Sequence, residues 1–162
     1  MSDTKPEIMD WALWFYWIMA TTLGWLFGNI FFRGIPIIIS GAAIAVLQWS
    51  VLYKRIQKAW RWIIFSSVGW IAGYILVVIF FAHTGILLGP VMGGAVGIMQ
   101  WFLLRKEVDW AGWWMIISAL AWTTGLTLMP GLLTSGALPG ALTGLTLVIL
   151  FRFSVPKERI AQ

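Results

Sequence analysis

A pattern of Trp, Thr or Ser, and Gly recurs three times along the chain and limits its fold more than any other feature. The pattern reads W-x3-[T/S]-x2-[G/A]-W-x2-G and covers residues 17–28, 62–73 and 114–125. Each copy is followed by a second segment, which reads G-x3-[G/A]-x2-Q-W-x2-L in its two best copies. Such a period is typical of repeated supersecondary units. It predicts one helical hairpin written three times, over about residues 11–55, 59–106 and 110–153.

Composition predicts that these hairpins lie in a membrane. The chain has 162 residues, of which 60% are hydrophobic and 10% are charged, whereas soluble domains average about 25% charged residues. A chain this short cannot hide so much apolar surface in a water-soluble core. Charged residues are absent from 11–32, 34–53, 62–104 and 110–151. Since one membrane helix needs about 20 apolar residues, the two shorter runs hold one span each and the two longer runs hold two.

The predicted fold class is therefore an all-α integral membrane protein with six transmembrane helices. They form three parallel-repeat helical hairpins with pseudo-threefold symmetry, within a single transmembrane domain over residues 1–162. The three hairpins are predicted to run in the same direction because each contains two spans and so returns the chain to the side where it started. Inverted repeats, not parallel ones, are the common basis of alternating access, so this arrangement makes a transporter less favoured.

The distribution of basic residues predicts the orientation. Ten of the eleven Lys and Arg residues fall on one side of such a protein: Lys5, Lys54, Arg55, Lys58, Arg61, Arg105, Lys106, Arg152, Lys157 and Arg159. Only Arg33 falls on the other side, in one of the short turns marked by Gly and Pro. The positive-inside rule then places both termini in the cytoplasm. We expect a bacterial inner or thylakoid-type membrane, with no cleaved signal peptide because residues 1–10 are polar and mildly acidic.

Several Trp residues lie next to the basic joints and are predicted to anchor the protein at the membrane interface. These are Trp60, Trp62, Trp110, Trp113 and Trp114. The indole ring suits that depth because its body is apolar and its N–H can reach water or lipid headgroups.

The repeated positions are predicted to share one face of each helix. At 0, 4, 7, 8 and 11 along a helix they fall within a stripe about 100° wide. In the odd helices they are Trp17, Thr21, Gly24, Trp25, Gly28; Trp62, Ser66, Gly69, Trp70, Gly73; and Trp114, Ser118, Ala121, Trp122, Gly125. In the even helices they are Gly41, Ala45, Gln48, Trp49, Leu52; Gly93, Gly97, Gln100, Trp101, Leu104; and Gly140, Gly144, Leu147, Val148, Phe151.

The small residues on these stripes predict close helix packing, because small-x3-small rows let helix backbones approach each other in lipid. A second interpretation is that the Gly rows open a groove for a flat ligand such as a quinone, a carotenoid or a chlorin. The sequence does not choose among these cofactors, and a bound lipid is a further alternative.

A polar membrane cluster is predicted from Gln48, Gln100, Thr21, Ser66 and Ser118, which fall at similar depth. A side-chain amide in hydrocarbon must find hydrogen-bond partners. The structural interpretation is a set of Gln-to-Ser/Thr hydrogen bonds that set the register of the helices. The functional interpretation is a polar ring that binds a headgroup, an ion or a pigment carbonyl. Leu147 replaces the Gln in the third copy and argues against a pore with three equal Gln residues.

Catalytic chemistry has few candidate residues. All six acidic residues lie in the tails or joints, and the chain has no Cys. The single His, His83, is predicted in a turn, where it is a solvated residue or a lone axial ligand for a haem or chlorin. One His without Cys cannot build a zinc site, so no metal site is expected. We therefore expect no enzymatic activity and no catalytic residues.

Two strings carry a resemblance to a known group of proteins. GGAVGIMQWFLLRK and WWMIISALAWTTG resemble a repeat in bacterial, cyanobacteria-type multi-pass membrane proteins with repeated GxxxGxxQWxxLR hairpins. The resemblance covers nearly the whole chain and implies the hairpin fold, and it carries no activity with it. Tyr53 stands where the pattern has Arg, and the third copy departs most.

The sequence thus favours a non-enzymatic polytopic membrane protein, a scaffold or accessory subunit that binds a lipid-like or pigment-like ligand. Its expected partners are the lipid bilayer and other membrane subunits or further copies of itself, without nucleic acid. The alternative is a small transporter or channel with the Gln, Ser and Thr cluster lining its path.

Overall fold

A computed structural model describes residues 9–32, 36–80 and 85–153, and the regular structure in these ranges is all helical. The helices are α1 (Trp11–Phe31), α2 (Pro36–Leu52), α3 (Arg61–Phe80), α4 (Leu88–Glu107), α5 (Gly112–Thr123) and α6 (Thr134–Phe153). A short 3-10 turn, Gly85–Leu87, precedes α4, and a π-helix, Thr124–Leu128, continues α5. The all-α prediction is confirmed. The predictions for Arg33 and His83 concern residues outside the described ranges.

The six helices form a closed ring. Each helix packs on the next one along the chain, and α1 also packs on α6. A buried cluster at one end of the ring unites Leu13 near the start of α1, Leu52 at the end of α2, Leu104 in α4 and Leu150 in α6. The first helix therefore begins, and the last one ends, at the same end of the bundle as the joints 53–60 and 108–111, which we call the joint end.

Three helical segments are long and apolar enough to cross a membrane: Arg61–Phe80, Gly85–Glu107 and Thr134–Phe153. The segment Pro36–Leu52 is apolar but shorter. Large apolar side chains also cover the outside of the ring, among them Phe27, Ile79 and Leu120. Such an exterior suits lipid, since monomeric soluble proteins rarely expose wide apolar patches. These features are consistent with a membrane protein.

Glycine permits the closest helix contacts in the ring. A Cβ atom added to Gly24 in α1 would lie 2.6 Å from the backbone nitrogen of Ile44 in α2. A Cβ on Gly69 in α3 would lie 2.7 Å from the Cα of Val96 in α4. Real side chains essentially never approach this closely, so the backbones meet at these points only because Gly has no side chain.

The predicted stripes of the odd helices are buried. All five positions are buried in α1 and α3, and the corresponding residues of α5 and its π-helical continuation are buried as well. The even helices differ from the prediction at Trp49, Trp101 and Phe151, which are only partly buried. Ile44 and Val96 face the interior instead, one turn before Gln48 and Gln100.

The joints fold beneath the bundle and close it. Ile56 and Ala59 from the first joint, and Val108 and Ala111 from the second, belong to the buried cluster at the joint end. Lys58 and Trp110, which stand at matching positions in the two joints, both have left-handed backbone, with φ of 50° and 60°. Two non-Gly residues in this conformation are uncommon and indicate that the two joints make the same tight turn.

Polar contacts connect the joint end to neighbouring elements. Asp10 caps α1 by accepting a hydrogen bond from the backbone N–H of Leu13 at 2.9 Å. The same carboxylate pairs with Arg55 of the first joint at 2.7 Å. The backbone N–H of Gln57 donates to Glu107 at 3.2 Å and so links the first joint to the end of α4. Exposed ion pairs stabilise little, so these contacts mainly position the joints.

Candidate functional site

Three Trp side chains meet on the axis of the ring and form what we call the lower Trp layer: Trp17, Trp62 and Trp114. Each is 1% exposed or less. Their ring centroids lie 5.6, 6.0 and 6.1 Å apart, and all three pairs are edge to face. This geometry is favourable for aromatic rings. The layer fills the centre of the bundle near the joint end.

This burial overturns part of the interface prediction. Trp62 and Trp114 are not interface anchors, because their indole N–H groups find acceptors inside the protein and need no water. Trp60, Trp110 and Trp113 are exposed, as an interface position requires. Proximity to a basic joint therefore did not separate the two kinds of Trp. Recurrence at the first position of the repeated pattern separates Trp62 and Trp114 from the other three.

Gln48 joins three helices through its amide. Its Oε1 accepts a hydrogen bond from the indole N–H of Trp62 in α3 at 3.1 Å. Its Nε2 donates to the Thr21 hydroxyl in α1 at 3.0 Å, and that hydroxyl donates to the carbonyl of Trp17. Gln48 is 4% exposed, and both the oxygen and the nitrogen of its amide are hydrogen-bonded. The predicted Gln-to-Thr bond is present.

Gln100 in α4 repeats this arrangement with α3 and α5. Its Oε1 accepts from the indole N–H of Trp114 in α5 at 3.0 Å, and its Nε2 donates to the Ser66 hydroxyl in α3 at 2.8 Å. Each Gln thus bonds the preceding odd helix through a hydroxyl and the following odd helix through an indole. We call the buried amides and hydroxyls at this level the polar tier.

We call Trp17, Ser118, Thr143 and Leu147 the third sector of the polar tier. Its chemistry differs because Leu147 stands where the other two copies have Gln. The Trp17 indole N–H donates instead to the Thr143 hydroxyl, one turn earlier in α6, at 3.0 Å. Thr143 in turn donates to the carbonyl of Pro139. Ser118, which has no Gln opposite, donates to the carbonyl of Gly93 at 2.9 Å. The predicted cluster therefore forms two Gln-centred groups, and Ser118 is bonded separately. Thr143 was not among the predicted residues.

An upper Trp layer, Trp25, Trp70 and Trp122, closes the axis on the other side of the polar tier. The centroids of Trp70 and Trp122 lie 4.8 Å apart and edge to face, and Trp25 lies 6.3 Å from Trp122. All three belong to a second buried apolar cluster with Met92 and Leu126.

A small void remains between the two layers. Its volume is about 10 Å³, and its lining includes Gln48, Gln100, Ser118 and Thr143. Such a void holds one water molecule at most. Among the described residues, the Trp layers fill the axis on either side of this void.

Cations and aromatic rings alternate around the joint end. The Arg105 guanidinium lies 4.9 Å from the Trp101 ring centre, and the Lys54 amine lies 5.2 Å from that of Tyr53. Similar contacts join Arg61 to Trp60 and Arg152 to Phe153. A hydrogen bond with Tyr53 raises the pKa of Lys54 above its usual value of 10.5, so this amine stays charged at neutral pH. These paired cations and aromatic rings at the joint end are suited to the membrane interface.

Among the described residues, the grooves on the outside of the ring include two that are mainly apolar. The larger one, about 720 Å³, lies between α1 and α2 and is lined by apolar residues that include Phe27, Phe31 and Ala43. The smaller one, about 360 Å³, lies between α5 and α6 at the joint end. In the described ranges, no group of three or more His, Asp or Glu residues could hold a metal ion.

No protein-family model, curated protein or solved structure matches the chain. The candidate site is therefore defined by its own geometry.

Proposed function

We propose that the chain is a non-enzymatic, six-span membrane module that acts as a scaffold or accessory subunit. In this proposal three parallel hairpins surround a pseudo-threefold axis, and both termini lie in the cytoplasm of a bacterial inner or thylakoid-type membrane. The interior holds the module together. A lipid-like or pigment-like ligand, or a partner subunit, binds on the outer surface.

The closed ring supports six spans. The helices α1, α2 and α5 each pack between two neighbours, and the ring also contains the three segments that are long and apolar enough to cross a membrane. Helices in one ring share the same surroundings, and a short segment can cross a bilayer that thins locally.

The two Gln-centred groups support the pseudo-threefold arrangement. Gln48 and Gln100 make the same pair of bonds to a hydroxyl and an indole. In the third sector Trp17 points to the same level and finds Thr143. The lower Trp layer contains one Trp from each copy of the pattern, and the three rings are in mutual edge-to-face contact, which agrees with such an axis.

The sealed interior is the observation that carries the proposal. Two Trp layers occupy the axis, and the amides between them are engaged in internal hydrogen bonds. A ligand larger than water has no space there. The outer grooves, and above all the larger groove between α1 and α2, offer the volume that a lipid or pigment needs.

The test is gentle purification, followed by an absorbance spectrum and a mass-spectrometric lipid profile. We expect a bound lipid or pigment, or a co-purified partner. Ala43→Trp, which fills the larger groove, should reduce the bound ligand if that groove holds it. Val68→Trp places the same side chain on an exposed position of α3 and serves as the control. A bare, monomeric protein without ligand or partner would contradict the proposal.

The second candidate is a small transporter or channel, and the polar void on the axis favours it. A path along the axis would pass Gln48 and Gln100 and would require the Trp layers to open. The test is the double variant Gln48→Leu and Gln100→Leu in liposomes. A flux that survives this change unaltered does not use the polar tier.

A further inference from the structure

The smaller groove combines an apolar trough with charged and aromatic groups at one end. Ile117 of α5 and Ile149 and Leu150 of α6 line the trough, and Asp109, Trp110 and Trp113 stand where it meets the joint end. Thr146 is the polar residue within the trough, and its hydroxyl is already bonded to its own helix. From Thr146 to the end of α6 the groove follows roughly 10 Å of helix, at 1.5 Å per residue.

The mouth of this groove differs from the matching place in the first joint. Leu52 and Trp62 align with Leu104 and Trp114, so that Gln57, Lys58 and Arg61 correspond to Asp109, Trp110 and Trp113. At these positions the second segment carries one carboxylate and two indoles, and the first segment carries an amide and two cations. Both indoles are exposed, and Trp110 holds its left-handed backbone at φ 60°. The second segment therefore favours a cation where the first segment favours an anion.

A carboxylate beside exposed indole rings suits an ammonium group, because the carboxylate accepts its hydrogen bonds and the ring faces attract its charge. Asp109 already has a partner within the protein. A carboxylate has lone pairs for about four hydrogen bonds, so it can serve a ligand as well. A cation also lies close by, since the Arg152 guanidinium is 5.6 Å from the ring centre of Phe153, which lines the groove.

We propose that the groove between α5 and α6 binds a phospholipid with an amine-bearing, zwitterionic headgroup, of the phosphatidylethanolamine class. The ammonium group binds at Asp109 between Trp110 and Trp113, the phosphate lies towards Arg152, and one acyl chain follows the apolar trough. This inference rests on the proposed function, since it assumes that the outer surface of a membrane module takes lipid. It adds the site and the class of lipid.

The experiment compares lipid retention by native mass spectrometry. The purified full-length protein is delipidated and titrated with phosphatidylethanolamine or with phosphatidylglycerol of the same acyl chains. We expect about tenfold preference for phosphatidylethanolamine, which corresponds to one charge-assisted hydrogen bond. Asp109→Asn keeps the shape and should remove this preference. Ile149→Trp fills the trough and should abolish retention of both lipids.

Ser50→Trp provides the matched control, because Ser50 occupies the position in α2 that Ile149 occupies in α6 and is exposed. It should leave retention unchanged. If Asp109→Asn lowers the melting temperature, Trp113→Leu tests the same headgroup contact with the carboxylate intact and should also reduce the preference. Equal retention of the two lipids by the unmodified protein would overturn the inference.

The result also separates this inference from the proposed function. A lipid that stays bound in Asp109→Asn and Ile149→Trp occupies another place on the surface, which overturns this site and leaves the proposed function standing. A protein that retains no lipid, pigment or partner under any condition overturns both.

Discussion

The buried amides of Gln48 and Gln100 each serve two partners at once. An amide that leaves water must be paired at both its oxygen and its nitrogen, and here a hydroxyl and an indole meet that need. Removing the Gln100 amide therefore leaves two other buried groups unpaired, the Ser66 hydroxyl and the Trp114 indole N–H. At the scale of single residues, the stability of the bundle depends on a few buried polar groups that have one hydrogen-bond partner each.

We expect Gln100→Leu to destabilise the protein by about 1–3 kcal/mol, because the Ser66 hydroxyl and the Trp114 indole N–H lose their partner. The measurement is unfolding in mixed micelles with increasing denaturing detergent. Adding Trp114→Phe and Ser66→Ala to Gln100→Leu removes the orphaned groups and should recover part of the loss. If the triple variant is no more stable than Gln100→Leu, the orphaned groups do not cause the loss.

The third sector allows a compensation test. Thr143→Val leaves the Trp17 N–H unpaired and should cost about 1–2 kcal/mol. Val is the residue at the matching position of α4, Val96. Adding Leu147→Gln supplies the missing amide, with Trp17 and Ser118 as its partners, and should restore stability. The same unfolding assay measures both variants. A double variant less stable than Thr143→Val would show that the third sector cannot accept the Gln-centred geometry.

Single residues were predictable to different degrees, for physical reasons. The stripe of Trp17, Thr21 and Trp25 followed from helical periodicity, and its burial agrees with the prediction. The basic joint before Trp62 predicts an interface anchor, whereas its place at the first position of the repeated pattern agrees with the buried partner that it finds in the folded chain. Thr143 could not be predicted, because its role depends on the missing amide at Leu147.

At the scale of elements, the helices pack closely because glycine stands at their crossings and has no side chain to keep the backbones apart. Gly93 in α4 lies against α5, and a Cβ there would come within 2.5 Å of the Ser118 carbonyl oxygen. Its neighbour Gly94 has open space at the same point. The two glycines share a helix and a depth, and they differ only in the face they occupy.

This pair gives a matched prediction. Gly93→Ala should push α4 and α5 apart and cost about 1–3 kcal/mol, the usual cost of overpacking. Gly94→Ala should be neutral or stabilise by up to about 1 kcal/mol, because Ala favours the helix. Melting temperatures of the two variants in one detergent decide the matter. Equal effects would mean that the α4–α5 crossing is looser than the structure has it.

The joints show what an element-level prediction can miss. Their basic residues predict only the orientation in the membrane, yet Ile56 and Val108 are buried beneath the bundle. The signal was present as a shared spacing, L-x3-[I/V]-x2-A-x2-W, over residues 52–62 and 104–114. Three charged residues of the first joint, Lys54, Arg55 and Lys58, and Arg61 at the start of α3 obscure it. Hydropathy averages over a window and so conceals single apolar residues that turn inwards.

At the scale of the whole molecule, ring closure is what the sequence could not provide. Uncharged runs predicted six spans, whereas hydropathy and length of the described helices identify three. The packing of α1 on α6 joins the first described helix to the last and closes the ring. Local patterns predict the elements, and only the assembled ring shows which faces are left for lipid.

The proposed six-span topology predicts which residues face each side of the membrane, and the chain is suited to the test because it has no Cys. Single variants Lys54→Cys and Lys106→Cys place a thiol at the joint end. Ile86→Cys and Leu132→Cys place an exposed thiol at the opposite end. In intact bacterial cells, a membrane-impermeant maleimide should label the second pair and not the first, because the positive-inside rule puts the joint end in the cytoplasm.

Lysed cells provide the control for this labelling, since all four thiols should then react. Labelling of Lys54→Cys and Lys106→Cys alone in intact cells would mean that the protein has the opposite orientation. A mixed result, with Ile86→Cys labelled and Leu132→Cys protected, would mean that α5 and its π-helical continuation do not cross the membrane. The helix α5 has only 12 residues before the π-helix, so this region tests the six-span arrangement where it is weakest.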